Sequence, residues 1–444
     1  MYISELRLRP RHLYIVAVSS MEQLIGASLS TIVGIVIPLL NLFLRPELSA
    51  TVQGFMGAAG LIGIAIGSAV IGPLTDRHGY LKWFRMCAVL IIAGSVVGSL
   101  SPAAWVICAG MFIAGFGVGG GYTIDSAYIS ELMPDKWRSF MVGVAKAMCA
   151  VGFILPAVAA VVILHIRPNA DVWRSIVWIM GALGVITLIM RLRWAESPGW
   201  LMSQGRPDEA RKAAQFFFGQ DAEVMASTPA LKKATGSFGA LFRGKNLARV
   251  IYSGIPWACE GLGVYGIGVF MPLLVMALGI DTTHASGIAQ VINSVELTAM
   301  INFCILPGFV IGLLIVNKMS HYTMLWGGFL GSAAGIGLLL AAYMLEWPVW
   351  VSIVAFMMFE ILLNAGPHLV TYIIPTAIYP VECRGVGSGV ADFLGKSGAI
   401  LGVFFMPMWL KEGGITLVLI ITICVMMAGG IVALIFGRMV KSRL

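Results

Sequence analysis

Ionisable side chains are scarce in this chain, and the informative ones stand where they cost most. Glu22, Asp125, Lys146, Glu260, Glu296, Glu360, His368, Asp392 and Lys396 lie within or at the end of long apolar stretches. A charge inside a membrane costs at least about 2.5–3.5 kcal/mol on insertion scales, which makes each a functional candidate by default. Glu22 falls roughly 15 Å into a helix that starts near Leu13, at about 1.5 Å per residue. A carboxyl at that depth can carry a proton, because desolvation favours its neutral form; the alternative is a neutral Glu hydrogen-bonded within a bundle. Glu260 is a second candidate carrier. A buried ammonium at Lys396 would be completed by an anionic solute. Asp392, one turn earlier, offers an internal i,i+4 pair instead, and the two partners could alternate.

His368 follows Pro367 and precedes Tyr372 and Pro375, where a helix must be irregular. Carbonyls freed at such a break are tolerated in a membrane only if they line a cavity or are buried in protein. His368 is therefore a cavity-lining candidate, with plain packing as the alternative. Glu360 with Asn364, and Glu296 with Asn293, form polar sets expected to face a bundle interior. Tyr122, Trp257 and Tyr265 could stack on an organic solute or simply pack. The candidate solute site is thus Lys396, Asp392, His368, Tyr122, Trp257, Tyr265, Glu360 and Asn364.

The elements that must position these groups follow from composition. Apolar residues make up 59% of 444 residues and charged residues 11%; soluble domains carry about 25% charge. Lipid must be the solvent for most of the surface. The net charge of +8 forms no basic stripe with interleaved aromatics, so a nucleic-acid partner is not expected. The seven cysteines lack metal spacing and read as small apolar fillers. No metal or other cofactor is expected, and a monomer is.

A membrane helix needs about 20 apolar residues. Twelve segments qualify: 13–40, 51–72, 83–100, 103–125, 139–164, 173–194, 250–278, 285–316, 323–343, 348–374, 385–410 and 414–437. The first is too long for a cleavable signal. Lys and Arg concentrate at the N-terminus, the even-to-odd junctions and the C-terminal tail, which places both termini in the cytoplasm. The chain divides into a six-helix bundle over 1–194, a cytoplasmic linker over 195–247 and a second six-helix bundle over 248–444. In the linker, Ser197-Pro198 has the form of a helix start. Pro207 opens a second short helix ending at Gly219, with Asp208 and Lys212 at i,i+4 spacing.

The halves are alike. Arg11-x-x-Tyr14-x7-Glu22 recurs as Arg249-x-x-Tyr252-x7-Glu260, and Pro134-x3-Arg138-x4-Gly143 as Pro380-x3-Arg384-x4-Gly389, at nearly one offset. Gly72…Asp76-Arg77 has a weaker echo in Gly312…Asn317-Lys318. Duplicated bundles of this kind place a solute site between them.

Gly72-Pro-Leu-Thr-Asp76-Arg77-His-Gly79-Tyr80-Leu-Lys82 resembles the loop signature of the major facilitator superfamily, with Tyr80 in place of a basic residue. Glu131-x6-Arg138, Glu196-Ser197-Pro198-x-Trp200-Leu201 and Glu382-x-Arg384-Gly385 resemble its sugar-porter and organic-ion-transporter branch. The resemblance implies an all-α membrane protein of twelve transmembrane helices in two pseudo-symmetric six-helix bundles. It also implies a cytoplasmic latch between halves built from Asp76, Arg77, Glu131, Arg138, Glu196, Glu382 and Arg384. Glu22 is similar in position to the acidic residue on the first helix of proton-coupled sugar porters, and Lys396 to a position that carries Arg in anion carriers.

No nucleotide-binding loop precedes a soluble helix, so a gradient must drive flux. The expected function is proton-coupled symport of a small organic anion, a carboxylate or aromatic acid, by alternating access. A sugar or polyol porter and an organic-cation carrier are the alternatives, and a transporter-like receptor that no longer transports is a further one. An enzyme would need a clustered catalytic set that one intramembrane histidine does not supply. Short external loops without a glycosylation site favour a bacterial inner membrane.

Overall fold

The computed structural model describes residues 8–44, 47–219, 241, 243–279, 287–379 and 384–440. Among them the chain is helical and contains no strand. The first span is α1 (Pro10–Val18) running into α2 (Met21–Phe43). Then come α3 (Ala50–His78), α4 (Tyr80–Ser99), α5 (Ala104–Leu132), α6 (Asp135–Ile166) and α7 (Trp173–Leu192). Two short helices follow, α8 (Pro198–Ser203) and α9 (Pro207–Phe218). The second half holds α10 (Gly244–Gly261), α11 (Met271–Ala277), α12 (Ile288–Asn302), α13 (Ile305–Ile315) and α14 (His321–Met344). It ends with α15 (Val349–Ala365), α16 (Pro367–Ile378) and α17 (Arg384–Val440).

Ten helical runs among the described residues are long and apolar enough to cross a membrane. An eleventh is the pair Asn246–Ile267 and Met271–Ala277, bent by 65°. The last run, Gly387–Val440, covers 54 residues, about 80 Å of helix where a bilayer core needs about 30 Å. Gly414 at φ 63° breaks it into two. Twelve crossings result, as the hydropathy pattern predicts.

Four of these spans are discontinuous: Ser19-Ser20 separates α1 from α2 and Phe303-Cys304 separates α12 from α13, and two more are broken in the second half. A π-helical turn, Leu262–Ile267, joins α10 to the break before α11. Gly366, at φ −115° and ψ −96°, separates α15 from α16, and Pro367 opens the new helix. Proline at the first helical position lacks the N–H that would have no partner there. The irregularity expected around His368 is thus real, and lies two residues before it.

The described contacts group into two compact units. The first holds residues up to Leu29, 62–152 and 177–233; the second holds 30–61, 153–176 and 234–444. The boundaries after Leu29, Leu61, Gly152 and Ile176 fall inside spans. In the first unit α4 and α5 approach so closely that a Cβ on Gly110 would stand 2.5 Å from the Gly98 Cα, so only glycine permits the crossing. Below them Phe84, Tyr128, Trp194 and Phe217 form one aromatic cluster. The α9 helix supplies Phe217 and Phe218 to it and keeps its charges outward. Ser197 caps α8 by accepting from the Trp200 N–H at 2.9 Å. On α9 the ion pair is Arg206–Glu209 at 2.6 Å, not Asp208 with Lys212. Arg206's hydrogen bond holds the Glu209 carboxyl below its ordinary pKa.

Candidate functional site

In the first unit, three helices bring two acids to one base. Glu22 is the second residue of α2, Asp125 lies in the last third of α5, and Arg191 is the penultimate residue of α7. All three are buried, at 0%, 3% and 0% exposure. The Arg191 guanidinium donates from both terminal nitrogens to both Glu22 carboxylate oxygens. It also donates to the Phe84 carbonyl at 2.9 Å and the Val18 carbonyl at 3.3 Å, and lies 3.4 Å from the Phe84 ring centroid. Asp125 Oδ1 stands 3.6 Å from Arg191 Nη2, and neither Asp125 oxygen accepts a hydrogen bond. Gly121 makes the space: a Cβ there would overlap the Glu22 side chain. Arg85 holds the carrier helix by donating to the Arg191 and Leu192 carbonyls at 3.0 and 2.8 Å, which satisfies acceptors at the α7 terminus.

Glu22 is therefore not the lone carboxyl that its surroundings in the sequence suggest. By position Arg191 counts with the cytoplasmic cations after the sixth span; the structure turns it inward. Its neighbour Arg193, on the other side of the helix end, is exposed. A count of cations per loop does not register which way one side chain on a helix points.

The second unit holds a different arrangement. Asn364 Nδ2 donates to Glu360 Oε2 at 3.1 Å, and His368 Nδ1 meets Asn364 Oδ1 at 2.9 Å. His368 Nδ1 lies 3.8 Å from Glu260 Oε1. Phe309 covers the imidazole at 5.2 Å between centroids. These four polar residues are 1–6% exposed, and the chain they form joins α10 to α16 across the Gly366 break. Glu260 stands beside the π-helical turn. Backbone carbonyls released at such breaks are a feature of transporter sites.

Lys396 and Asp392 pair with one another along α17, Nζ to Oδ2 at 2.6 Å, with side chains 19% and 38% exposed. The internal pair, one of the three readings open for this ammonium, is present. Trp257 stacks edge-on with Tyr372 at 6.2 Å, Tyr265 meets Phe153 at 6.3 Å, and the Tyr122 hydroxyl fills the space beside Gly26. Glu296 departs from expectation. It is 40% exposed and meets His165, not a bundle interior.

Of the latch residues, Glu196 accepts from the Tyr80 and Leu81 N–H groups at 2.9 and 3.1 Å. Glu131 accepts from the Gly199 N–H at 2.6 Å and the Ser197 hydroxyl at 2.5 Å. Each carboxylate thus sits at the N-terminus of a helix, α4 or α8, where the helix dipole favours it. The Asp76 carbonyl accepts from Trp200 Nε1 at 3.0 Å, and its carboxylate from the Tyr80 hydroxyl at 3.3 Å. Arg77 is exposed and Arg138 half-buried. Glu382 and the Arg384 side chain lie outside the described residues.

Twelve crossings, several of them broken beside buried acids, define a polytopic carrier of the major facilitator fold. The chain belongs to the family described as "Sugar (and other) transporter", whose pattern matches residues 10–443. It is an integral membrane transporter and not an enzyme. It is similar to the inner membrane metabolite transport protein YgcS of Escherichia coli, at 23% identity over 89% of this chain and 85% of that one. It is 24% identical to the niacin transporter NiaP of Acinetobacter baylyi over 88% of this chain and 86% of that one. Its fold matches a partially occluded, inward-open structure of the xylose transporter XylE from E. coli, with a TM-score of 0.78 at 19% identity. That match covers 97% of this chain and 98% of the other.

Proposed function

We propose that the protein is a proton-coupled symporter of a small organic solute, working by alternating access of two six-helix halves, 1–194 and 248–444. Glu22, Arg191 and Asp125 bind the proton. The observation that carries this is the charge count of a fully buried cluster: two carboxyls share one guanidinium. With both acids ionised the set is a net anion in a medium that does not tolerate one. With one proton bound it is neutral. Water reaching the cluster relieves the penalty on the anion and lets the proton leave. Access to one side of the membrane at a time then becomes proton transport. Glu260 is a secondary proton carrier in this reading.

The solute site is drawn from His368, Asn364, Glu360, Tyr122, Trp257, Tyr265, Lys396 and Asp392. An organic anion comes first, because Lys396 is an ammonium in an otherwise apolar span, with its side chain 19% exposed. The niacin carrier among the relatives handles a carboxylate-bearing solute, which supports this reading. A sugar or polyol is the second reading, favoured by the uncharged acceptors and donors of the Asn364–His368 chain and by the xylose carrier that shares the fold. Asp76, Arg77, Glu131, Arg138, Glu196, Glu382 and Arg384 form the cytoplasmic latch, both termini face the cytoplasm, and the host is a bacterial inner membrane.

Uptake into proteoliposomes separates the two solutes. Carboxylate uptake should fall about tenfold or more in Lys396→Gln, the value of one charge-assisted hydrogen bond. Polyol uptake that survives in Lys396→Gln, with no carboxylate transported by the wild type, would overturn the anion reading in favour of the sugar one.

A further inference from the structure

Near the end of α6, His165 meets Glu296 of α12, Nε2 to Oε1 at 3.2 Å. Both residues belong to the second compact unit. The same ring places Nδ1 3.0 Å from the Val161 carbonyl, one turn back on its own helix. A carbonyl only accepts, so Nδ1 must carry a hydrogen. A neutral imidazole protonated at Nδ1 then presents a lone pair at Nε2, and a carboxylate oxygen opposite it offers another. Two lone pairs this close repel each other, so the approach is favoured when one group holds a proton, as imidazolium with carboxylate or as imidazole with carboxylic acid. The favoured contact therefore contains one more proton than its separated members have in alkaline water.

We infer that His165 and Glu296 form an exposed proton-binding site that ties α6 to α12 when protonated and releases them when it is not. Both side chains reach the surface, at 58% and 40% exposure, so the proton exchanges directly with the medium. α6 is 32 residues long, about 48 Å, so its last turn stands beyond the bilayer core and in the headgroup region. Glu296, held against that turn, shares its depth. Deeper in the same two helices, Asn302 Nδ2 donates to the Phe153 carbonyl at 3.2 Å. That amide does not titrate and keeps the inner parts of the helices together at any pH, so the pH-dependent movement is confined to their ends.

Among the described residues, no other charge engages the pair; Asp171 and Arg174 hold each other at 2.6 Å, and Arg167 follows on the same helix end. α11 and α13, which pack against α12, bear no ionisable group. α15 brings only Glu360, which is engaged with Asn364. In a proton-driven carrier with this end outside, external acid would favour the state in which α6 and α12 meet. That consequence rests on the proposed function; the proton-dependent contact does not.

Spin labels at Ile166→Cys and Ala289→Cys in a cysteine-free background, in nanodiscs without solute, report the separation of the two ends. The short-distance population should be at least about twofold larger near pH 5.5 than near pH 8.5, the range over which a histidine titrates. Glu296→Gln replaces the acid by an amide able to donate to Nε2 or accept from it, and should give one distribution at both pH values. His165→Phe should remain at the longer distance throughout. An unchanged wild-type distribution, or a Glu296→Gln shift as large as the wild type's, overturns the inference. Should the cysteine-free protein not fold, hydrogen exchange of the two helix ends in the native sequence gives the same reading. Protection, corrected for intrinsic rate, must then fall with rising pH in the wild type and not in Glu296→Gln; equal behaviour of the two overturns it.

Discussion

Glu22 and Glu260 occupy matching places in an internal repeat, and both are buried, yet their surroundings share almost nothing. Glu22 is clamped by a guanidinium that takes both of its oxygens, with a second acid held against the same cation. Glu260 faces an imidazole at 3.8 Å, and behind it a neutral amide leads on to another carboxyl. A guanidinium stays charged whatever the pH, so protons in the first cluster can only move on and off carboxyls. The second cluster has an imidazole, whose charge is itself variable, and an amide that donates in one direction and accepts in the other. The repeat puts an acid at matching positions in the sequence; the partners decide the role. In the proposed function the first cluster holds the proton, and the second exchanges hydrogen bonds with a hydroxyl or carboxylate of the solute.

The comparison breaks most visibly at Arg191. Arg191→Met leaves two buried acids without their cation, and removing one partner of a buried pair costs about 3–5 kcal/mol. Purified protein should lose a large part of its thermal stability, and uptake should vanish; a variant of wild-type stability would mean that the pair is not held out of water. His368→Gln is a gentler change on the other side. It keeps a donor toward Asn364 but removes the variable charge, so KM should rise about tenfold, for one hydrogen bond of about 1–1.5 kcal/mol, with proton coupling intact. Loss of coupling in His368→Gln would exchange the roles of the two clusters. The smallest effect is outside both: Ser320→Ala removes the α14 cap, a hydroxyl that accepts from the Thr323 N–H at 3.2 Å, at about 1 kcal/mol, and a melting point lowered by about 2 °C should accompany near-normal uptake.

Much of the fold was legible because lipid imposes a strict rule. About 20 apolar residues per crossing, with cations on one side, leaves little freedom: ten of the twelve expected segments each coincide with one continuous or bent helical run, and the last two share one. The merged run from Gly387 to Val440 divides at Gly414, where the hydropathy pattern divides it. The helix break beside His368 followed from Pro367, and the short linker helices from Ser197-Pro198 and Pro207. The site was harder to read. Glu22, Glu360, Asn364 and His368 were visible as polar groups in apolar surroundings, but Arg191 was not, since a cation at the end of a span has the same sequence context whether it points at water or inward. Glu296 failed for the complementary reason: a spacing that suggests an interior face cannot say that the neighbouring helix ends there with a histidine.

The central claim is that the Glu22–Arg191–Asp125 cluster carries the coupled proton. Reconstituted vesicles with a pH-sensitive dye inside, given a saturating transported solute outside and no initial gradient, test it directly in the wild type and in Glu22→Gln. The account predicts that solute entry acidifies the lumen in the wild type. In Glu22→Gln the acidification should disappear, while exchange of labelled for unlabelled solute continues. Proton entry per solute that is undiminished in Glu22→Gln would contradict it.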